Sequence, residues 1–440
     1  MKKKVIIPIF LAAMALPLCF RSQPISLAAE FVGEQGGRGN ENDYVKDFGI
    51  PTNNQMADEG FVLLKNDGSL PLDEGAKVSI VGKASINISR GGAGSGAGSI
   101  SQSVKNQFAN GESDLGLDAS LKAAGFDVNA TATSFYKSAS GGRTNGNDGW
   151  KGNSEVTIGE TPISSVTGNA NLMASLDEYS DAILQVITRE GSEGCDVKTC
   201  NAHDSQKTNS NNKAISQKHA LELSDNEQAL FDLLHEHFDH IIIVINSSNI
   251  FECDVFEKDP QVSGILWVGN PGDVGPMAVG RILSGEVNPS GRTVDTWARD
   301  FTKDPTFQNF SDNAQCNLVE YKGEEYYIPQ DTMLNADGTM TRSYGTAKGY
   351  NNLSNPSYDN NRGGEQYKVP TGGLNGVKPA SYVSYEEGIY VDYRYYETKY
   401  ADMAVENKAA ADAWYNGEGD DEGSGVVYPF GYGLSYTSFD

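Results

Sequence analysis

Two glutamates, Glu190 and Glu193, stand between glycines in the stretch TREGSEGCDVKTC (188–200), close to Cys195 and Cys200. The run before them, Asp-Ala-Ile-Leu-Gln-Val-Ile (181–187), is apolar and of strand length, so both carboxyls fall in a loop at the mouth of a sheet. Carboxyls in such a place can divide acid and base work. One kept protonated by dry surroundings donates a proton, and one left in polar surroundings stays ionised. Loop position alone is equally the mark of solvated surface charge, so the assignment needs support from the rest of the chain. A Cys195–Cys200 disulfide would close the loop, and free buried thiols are the alternative, since a core of this size needs no staples.

Other constellations are less specific. Gly92-Ala-Gly-Ser-Gly-Ala97 resembles a dinucleotide-binding turn, but it begins about ten residues after the strand predicted at Lys77–Val81. A dinucleotide turn must lead straight from strand into helix. A flexible loop whose backbone, at Gly94, Ser95 and Gly96, approaches a ligand fits better. His235, His237 and His240 are spaced i, i+2, i+5, which does not put them on one helix face; they suit a helix C-terminus, where cations complement the dipole. Neither a metal nor an organic cofactor is expected.

The elements that would position these residues alternate. Thr52–Asn66 has helical spacing, Lys77–Val81 is a buried strand, and Leu115–Ala124 is amphipathic with Gly125 as its C-cap. Strands follow at 126–128 and 182–188. A helix at Ser224–Phe238 opens with Ser224 as N-cap and Glu227 completing a capping box. Ile241–Ile245 and Ile265–Val268 are further strands, and Gly275–Leu283 is a helix. Continuous apolar strands separated by amphipathic helices predict an α/β fold, a three-layer α/β/α sandwich with a mostly parallel sheet. From about 299 to 380 the texture turns to Asn, Gly, Tyr and Asp, a long irregular excursion in which Asn335-Ala-Asp-Gly338 would turn a hairpin.

With 440 residues, 38% hydrophobic, the chain is globular, and a formal charge of −25 argues against nucleic acid or anionic lipid as partners. Met1-Lys-Lys-Lys4, the apolar Val5–Phe20 and the small residues Ser26–Ala29 compose a secretory signal peptide, 1–29. Its apolar run, broken by Pro8 and Pro17, is shorter than the ~20 residues of a spanning helix. The mature chain is expected outside the cytoplasm, with 30–51 as linker or arm and 52–440 as the sandwich. Cleavage removes Cys19 and leaves Cys195, Cys200, Cys253 and Cys316.

Five blocks, in order, resemble the α/β sandwich ("C-terminal") domain of glycoside hydrolase family 3: EGFVLLKNDGSLPL (59–72), LSDNEQALFDLL (223–234), NPGDVGPMAVGRILSGEVNPSGRTVDTW (270–297), GIYVDYRYYET (388–398) and YPFGYGLSYTSF (428–439). The resemblance implies a retaining exo-β-glycosidase, most often a β-glucosidase, whose substrate is a β-linked oligosaccharide or glycoside. In that family an aspartate on a (β/α)8 barrel is the nucleophile and a glutamate on a sandwich loop is the acid/base. The loop follows a strand ending Val-Ile-Ser-Arg. Here Val186-Ile-Thr-Arg189 leads to Ser192-Glu193-Gly194-Cys195-Asp196, so Glu193 is the match and Glu190 is not. Ser192 stands where the family commonly has glycine, and Val197 where it commonly has arginine.

The family blocks leave no room here for a barrel, which needs about 250 residues. The resemblance is to members of reversed domain order, and the barrel is expected downstream or in trans. A non-catalytic carbohydrate-binding or interaction module built on the same domain is the alternative.

Overall fold

A computed structural model describes residues 41–92, 100, 102–105, 107, 115–143, 157–191, 197, 204, 218–304, 306, 316–321, 324–329, 332–334, 340–342, 388–418 and 425–437. Six strands form its main sheet: β1 (Val62–Asn66), β2 (Lys77–Val81), β3 (Asp127–Val128), β4 (Ala182–Arg189), β5 (Ile241–Ser247) and β6 (Val262–Trp267). Their order is β1-β6-β5-β4-β2-β3. All neighbours run parallel except β1, which lies antiparallel to β6 at the edge.

The layers follow from side-chain alternation along the strands. In β5, Ile241, Ile243 and Ile245 enter one core with Leu172 and Leu176 of the helix Ala170–Glu178 and Leu230 and Leu234 of the helix Asp225–His237. Ile242 and Val244 enter the other, with Ala57 of the helix Ile50–Gly60, Leu121 of Leu117–Ala123 and Ile282 of Met277–Leu283. A strand buried on both faces reads as an unbroken apolar run, and burying each such side chain contributes about 1.5–3 kcal/mol. This is the α/β/α sandwich that the sequence predicts. The capping box is also formed: Ser224 Oγ accepts from Glu227 N at 3.2 Å, and Glu227 Oε2 accepts from Ser224 N at 2.9 Å.

The expectation of a helix over Thr52–Asn66 needs correction. The helix stops at Gly60, and Val62–Asn66 is β1. Val62 and Leu64 pack in one core and Leu63 in the other. A helix would have held these three consecutive residues away from the two opposed faces they fill.

Outside the sheet, β7 (Trp297–Ala298) pairs with β12 (Val426–Tyr428). Within the expected excursion, β8 (Cys316–Tyr321) pairs with β9 (Glu324–Pro329), and β10 (Thr332–Leu334) with β11 (Met340–Arg342). The second pair flanks the predicted turn, whose residues 335–339 lie outside the described ones. The helical span Tyr393–Tyr415 is broken at Asn407 (φ −154°, ψ 96°). There the Asn407 side chain accepts from Ala410 N and starts a second helix, which folds back so that Trp414 lies along Tyr396 and Tyr415 meets Tyr400. Near the two ends of the excursion, Tyr396 Oη donates to Asp304 Oδ2 at 3.0 Å. Among the described residues no helix is long and apolar enough to cross a membrane.

Candidate functional site

The parallel strands deliver their following loops to one edge, and a single buried side chain gathers them. Asn246, on β5 and fully buried, accepts at Oδ1 from Ser89 N and from Thr188 Oγ1 (3.2 Å), and donates from Nδ2 to the carbonyls of Ser89 (2.9 Å) and Gly269 (2.6 Å). It thereby fixes the chain after β2, the end of β4 and the chain after β6 to β5. A buried amide with its donors and acceptor satisfied holds such a junction in one arrangement.

Glu190 follows β4 directly. Its Oε1 accepts from Ser89 Oγ at 3.1 Å and its Oε2 from Arg143 Nε at 2.7 Å, with the Glu190 side chain 6% and the Arg143 side chain 12% exposed. Arg143 also donates to the Asn87 carbonyl. Two residues beyond Arg90, Gly92 has φ +77°, and a β-carbon there would stand 3.1 Å from the carbonyl oxygen of Gly191. The chain after β2 and the chain after β4 therefore touch backbone to backbone. Val197 returns to the same place: a β-carbon on Gly191 would lie 3.2 Å from its Cγ2 and 3.4 Å from Asn249 Oδ1.

Behind this edge Arg189 and Glu227 form a bidentate pair at 2.8 and 2.6 Å, each side chain 3% exposed. Arg189 also donates to the carbonyls of Thr188, Ala220 and Glu222, and lies over Phe251. Every arm of the guanidinium is thus spent on structure. Next to the pair sits Glu160, 4% exposed, accepting from Lys83 N and Thr161 N. Burial, then the Glu227 charge, push its carboxyl up to about 8, against the pull of those amide bonds. Asp204, also raised by burial, accepts from Glu160 N and Asn226 N. Burial lowers the Lys83 ammonium, which caps the helix Ala130–Ser138 through the carbonyls of Tyr136 and Ala139. A cavity of about 10 Å³ bounded by Lys83, Asn87, Arg143, Glu160, Thr188 and Glu227 has room for about one water and none for a sugar ring.

The sequence-predicted site residues Glu193, Gly94, Ser95 and Gly96 lie outside the described residues, as do Cys195 and Cys200. The anchored stems of both their loops, Ser89–Gly92 and Arg189–Gly191, are brought side by side. Cys253 is a buried free thiol. The three histidines go to separate partners: His235 to Asp259, His237 to Asp177 and His240 to Ser263. Sequence reasoning missed Asn246, Arg143 and Glu160. Of these, only Asn246 had a local signal, as a polar residue ending an otherwise apolar strand.

The profile of the glycosyl hydrolase family 3 C-terminal domain matches residues 61–393. β-Glucosidase A of Butyrivibrio fibrisolvens is 26% identical over 396 residues, 88% of this chain and 34% of that protein. A β-glucosidase of Ruminococcus albus is 27% identical over 254 residues, 57% of this chain and 23% of its own. A crystal structure of a β-glucosidase from Paenibacillus barengoltzii shares the fold at a TM-score of 0.53 and 20% identity, covering 89% of this chain and 30% of that one. The chain spans about a third or less of the length of these relatives. By the extent of the profile match, in an α/β sandwich of this topology, the chain belongs to glycosyl hydrolase family 3 and contains its C-terminal domain.

Proposed function

We propose that this chain is the sandwich part of a secreted retaining exo-β-glycosidase, acting as a β-glucosidase on terminal β-linked sugars, and that Glu193 is its general acid/base. The observation that carries the proposal is the pair of glycine-containing loops held together at the strand ends, one leading into Glu193 two residues after Gly191. Family membership supports the substrate class. A retaining enzyme needs a second carboxylate about 5–5.5 Å from the acid. We assign that nucleophile to a barrel domain, downstream or in trans. Glu193 protonates the leaving oxygen as the nucleophile attacks, then takes a proton from the water that releases the sugar. No cofactor takes part in these steps. A second reading, a carbohydrate-binding module without catalysis, has support from the exposed rings of Tyr393 and Phe430, 4.9 Å apart.

The test is made in an enzyme completed with the barrel. Glu193→Ala should slow hydrolysis of substrates with poor leaving groups by about 10²- to 10⁴-fold, less for good leaving groups, and azide should restore turnover as a glycosyl azide. Glu190→Ala should do much less, and the 440-residue chain alone should not turn over an aryl β-glucoside. Equal losses at Glu190 and Glu193, or turnover by the isolated chain that depends on Glu193, would overturn the two-domain account. Binding of a β-glucan by an inactive completed protein would favour the second reading.

A further inference from the structure

Three stretches of the chain, 293–296, 389–394 and 429–432, meet beside β7 and carry large apolar side chains into solvent. Val294, Ile389, Tyr390, Tyr393 and Phe430 are all exposed, the last two by 37% and 52%. Hydrogen bonds knit the stretches together. The Thr293 carbonyl accepts from Gly431 N and Thr293 N donates to the Tyr432 carbonyl, both at 2.8 Å, while Thr293 Oγ1 donates to the Pro429 carbonyl at 2.6 Å. Asp392 Oδ1 accepts from Thr296 N. Asp392 also takes φ +51° and ψ −135°, the one positive φ outside glycine among the described residues. Such a conformation persists only where the surroundings over-determine it. Here it brings Tyr393 to Phe430, with ring centroids 4.9 Å apart and a tilt of 38°. Large apolar groups gathered in solvent mark a surface that something covers, and rings already fixed in place leave little ordering for a ligand to impose.

The groups bordering the rings select the occupant. The Arg394 guanidinium lies over Tyr393, 5.5 Å from the ring centroid, and Asp295 presents an exposed carboxyl next to Val294. Burial, then the charge of Asp392, raise that carboxyl, so the two acids are neighbours. A hydroxyl both donates and accepts, and a cation and carboxylates side by side serve it both ways. A β-linked glucose unit carries equatorial hydroxyls around its rim and C–H bonds on its two faces, which the negative face of an aromatic ring attracts. A hydrocarbon surface would strip water from these charges without pairing them. A second copy, or an anionic polymer, would bring like charge to a chain of −25.

We propose that Tyr393 and Phe430, bordered by Asp295 and Arg394, form a glycan-binding platform for a neutral β-glucan. Trp297, on the first of the three stretches, packs against Trp267 at the end of β6 with ring centroids 5.4 Å apart. The platform therefore stands on the strand-end side of the sheet, where the proposed function places hydrolysis. Its ligand class rests on that function, and its binding does not require turnover.

The experiment is native gel electrophoresis of the 440-residue chain, with and without a soluble mixed-linkage β-1,3/1,4-glucan in the gel. The net charge of −25 drives migration, and a neutral polymer slows one protein relative to its variants only by binding it. The unmodified chain should be retarded. Tyr393→Leu and Phe430→Leu keep apolar bulk and remove a ring, and each should weaken binding, read from retardation against glucan concentration, by about 2- to 10-fold. Phe430→Tyr should retain it. Phe48→Leu, at a second exposed ring pair formed by Tyr44 and Phe48, should leave it unchanged. Equal mobility without glucan shows that a variant keeps its fold; if one leucine variant fails that check, the other decides alone. No retardation of the unmodified chain, retardation unchanged by the leucine substitutions at 393 and 430, or an equal loss in Phe48→Leu would overturn the proposal. A concentration-dependent dimer in sedimentation, abolished by either of those two substitutions, would overturn it as well, because the patch would then join two copies. Hydrolysis by the completed enzyme is scored separately, so the platform and the catalytic reading can fail independently.

Discussion

Replacing Glu160 by glutamine tests the electrostatics behind the strand-end edge. In the folded protein the carboxyl titrates at about 8, against 4.5 for an ordinary glutamate, because it is buried beside Glu227 and Asp204. An acid whose folded value is raised binds its proton more tightly in the native state. Its stabilising contribution is therefore full below about 4.5 and is lost as pH rises toward about 8. A separation of about 3.5 pH units corresponds to about 5 kcal/mol in total, of which about 4 kcal/mol falls between pH 5 and 8.5. Glutamine is neutral throughout. Its carbonyl can still accept from Thr161 N, while its amide group gives up an acceptor near Lys83 N, at a cost of about 1 kcal/mol. The variant and the parent should then be nearly equal in stability at pH 5, and the variant should be the more stable by about 4 kcal/mol at pH 8.5. Urea unfolding followed by tryptophan fluorescence at several pH values measures the difference, in which the titrations shared by both proteins cancel. A gap between the two that stays constant within about 1 kcal/mol over that range would refute the argument, since it would mean that Glu160 ionises in the native state as freely as in the unfolded one.

Breaking the pair behind β4 should be expensive: Glu227→Ala leaves the buried Arg189 guanidinium without its carboxylate and should cost about 3–5 kcal/mol in urea unfolding. Arg189→Met combined with Glu227→Leu should recover much of that loss, and a double variant as unstable as Glu227→Ala would contradict the electrostatic account. We further propose that the exported protein begins near Glu30; mass spectrometry of secreted material should find that end, and an intact Met1 there would exclude cleavage.

Much of the sheet was legible because its strands are buried on both faces, so Ile241–Ile245 is β-branched at every position whichever core each residue enters. The same property misled at β1, where Phe61–Leu64 continues the apolar positions of the preceding helix, and Gly60, the stop signal at the junction, went unread. The helices Ala130–Ser138 and Ala170–Glu178 passed unread because small residues blur their apolar stripes. Their asparagine caps, Asn129 accepting from Ala132 N and Asn169 accepting from Leu172 N, were the available signal. The helical pair over Tyr393–Tyr415 shows only three buried residues, Tyr396, Ala411 and Trp414, so no periodic face announces it. At the site, the strand-end loop of Glu190 was evident from the run 181–187. Its partners were not: Arg143 and Ser89 are 47 and 101 residues away, and contacts at such separations leave no local pattern.

The hydrogen bond between Asp304 and Tyr396 means that the intervening excursion leaves and rejoins the sandwich at nearly one point. A loop closed at its base costs the rest of the fold little more when it lengthens, about 0.6 kcal/mol for each doubling. The hydrogen bonds that build the Asn246 junction and hold Glu190 do not pass through this closure, so a change of length between Asp304 and Tyr396 should leave them in place.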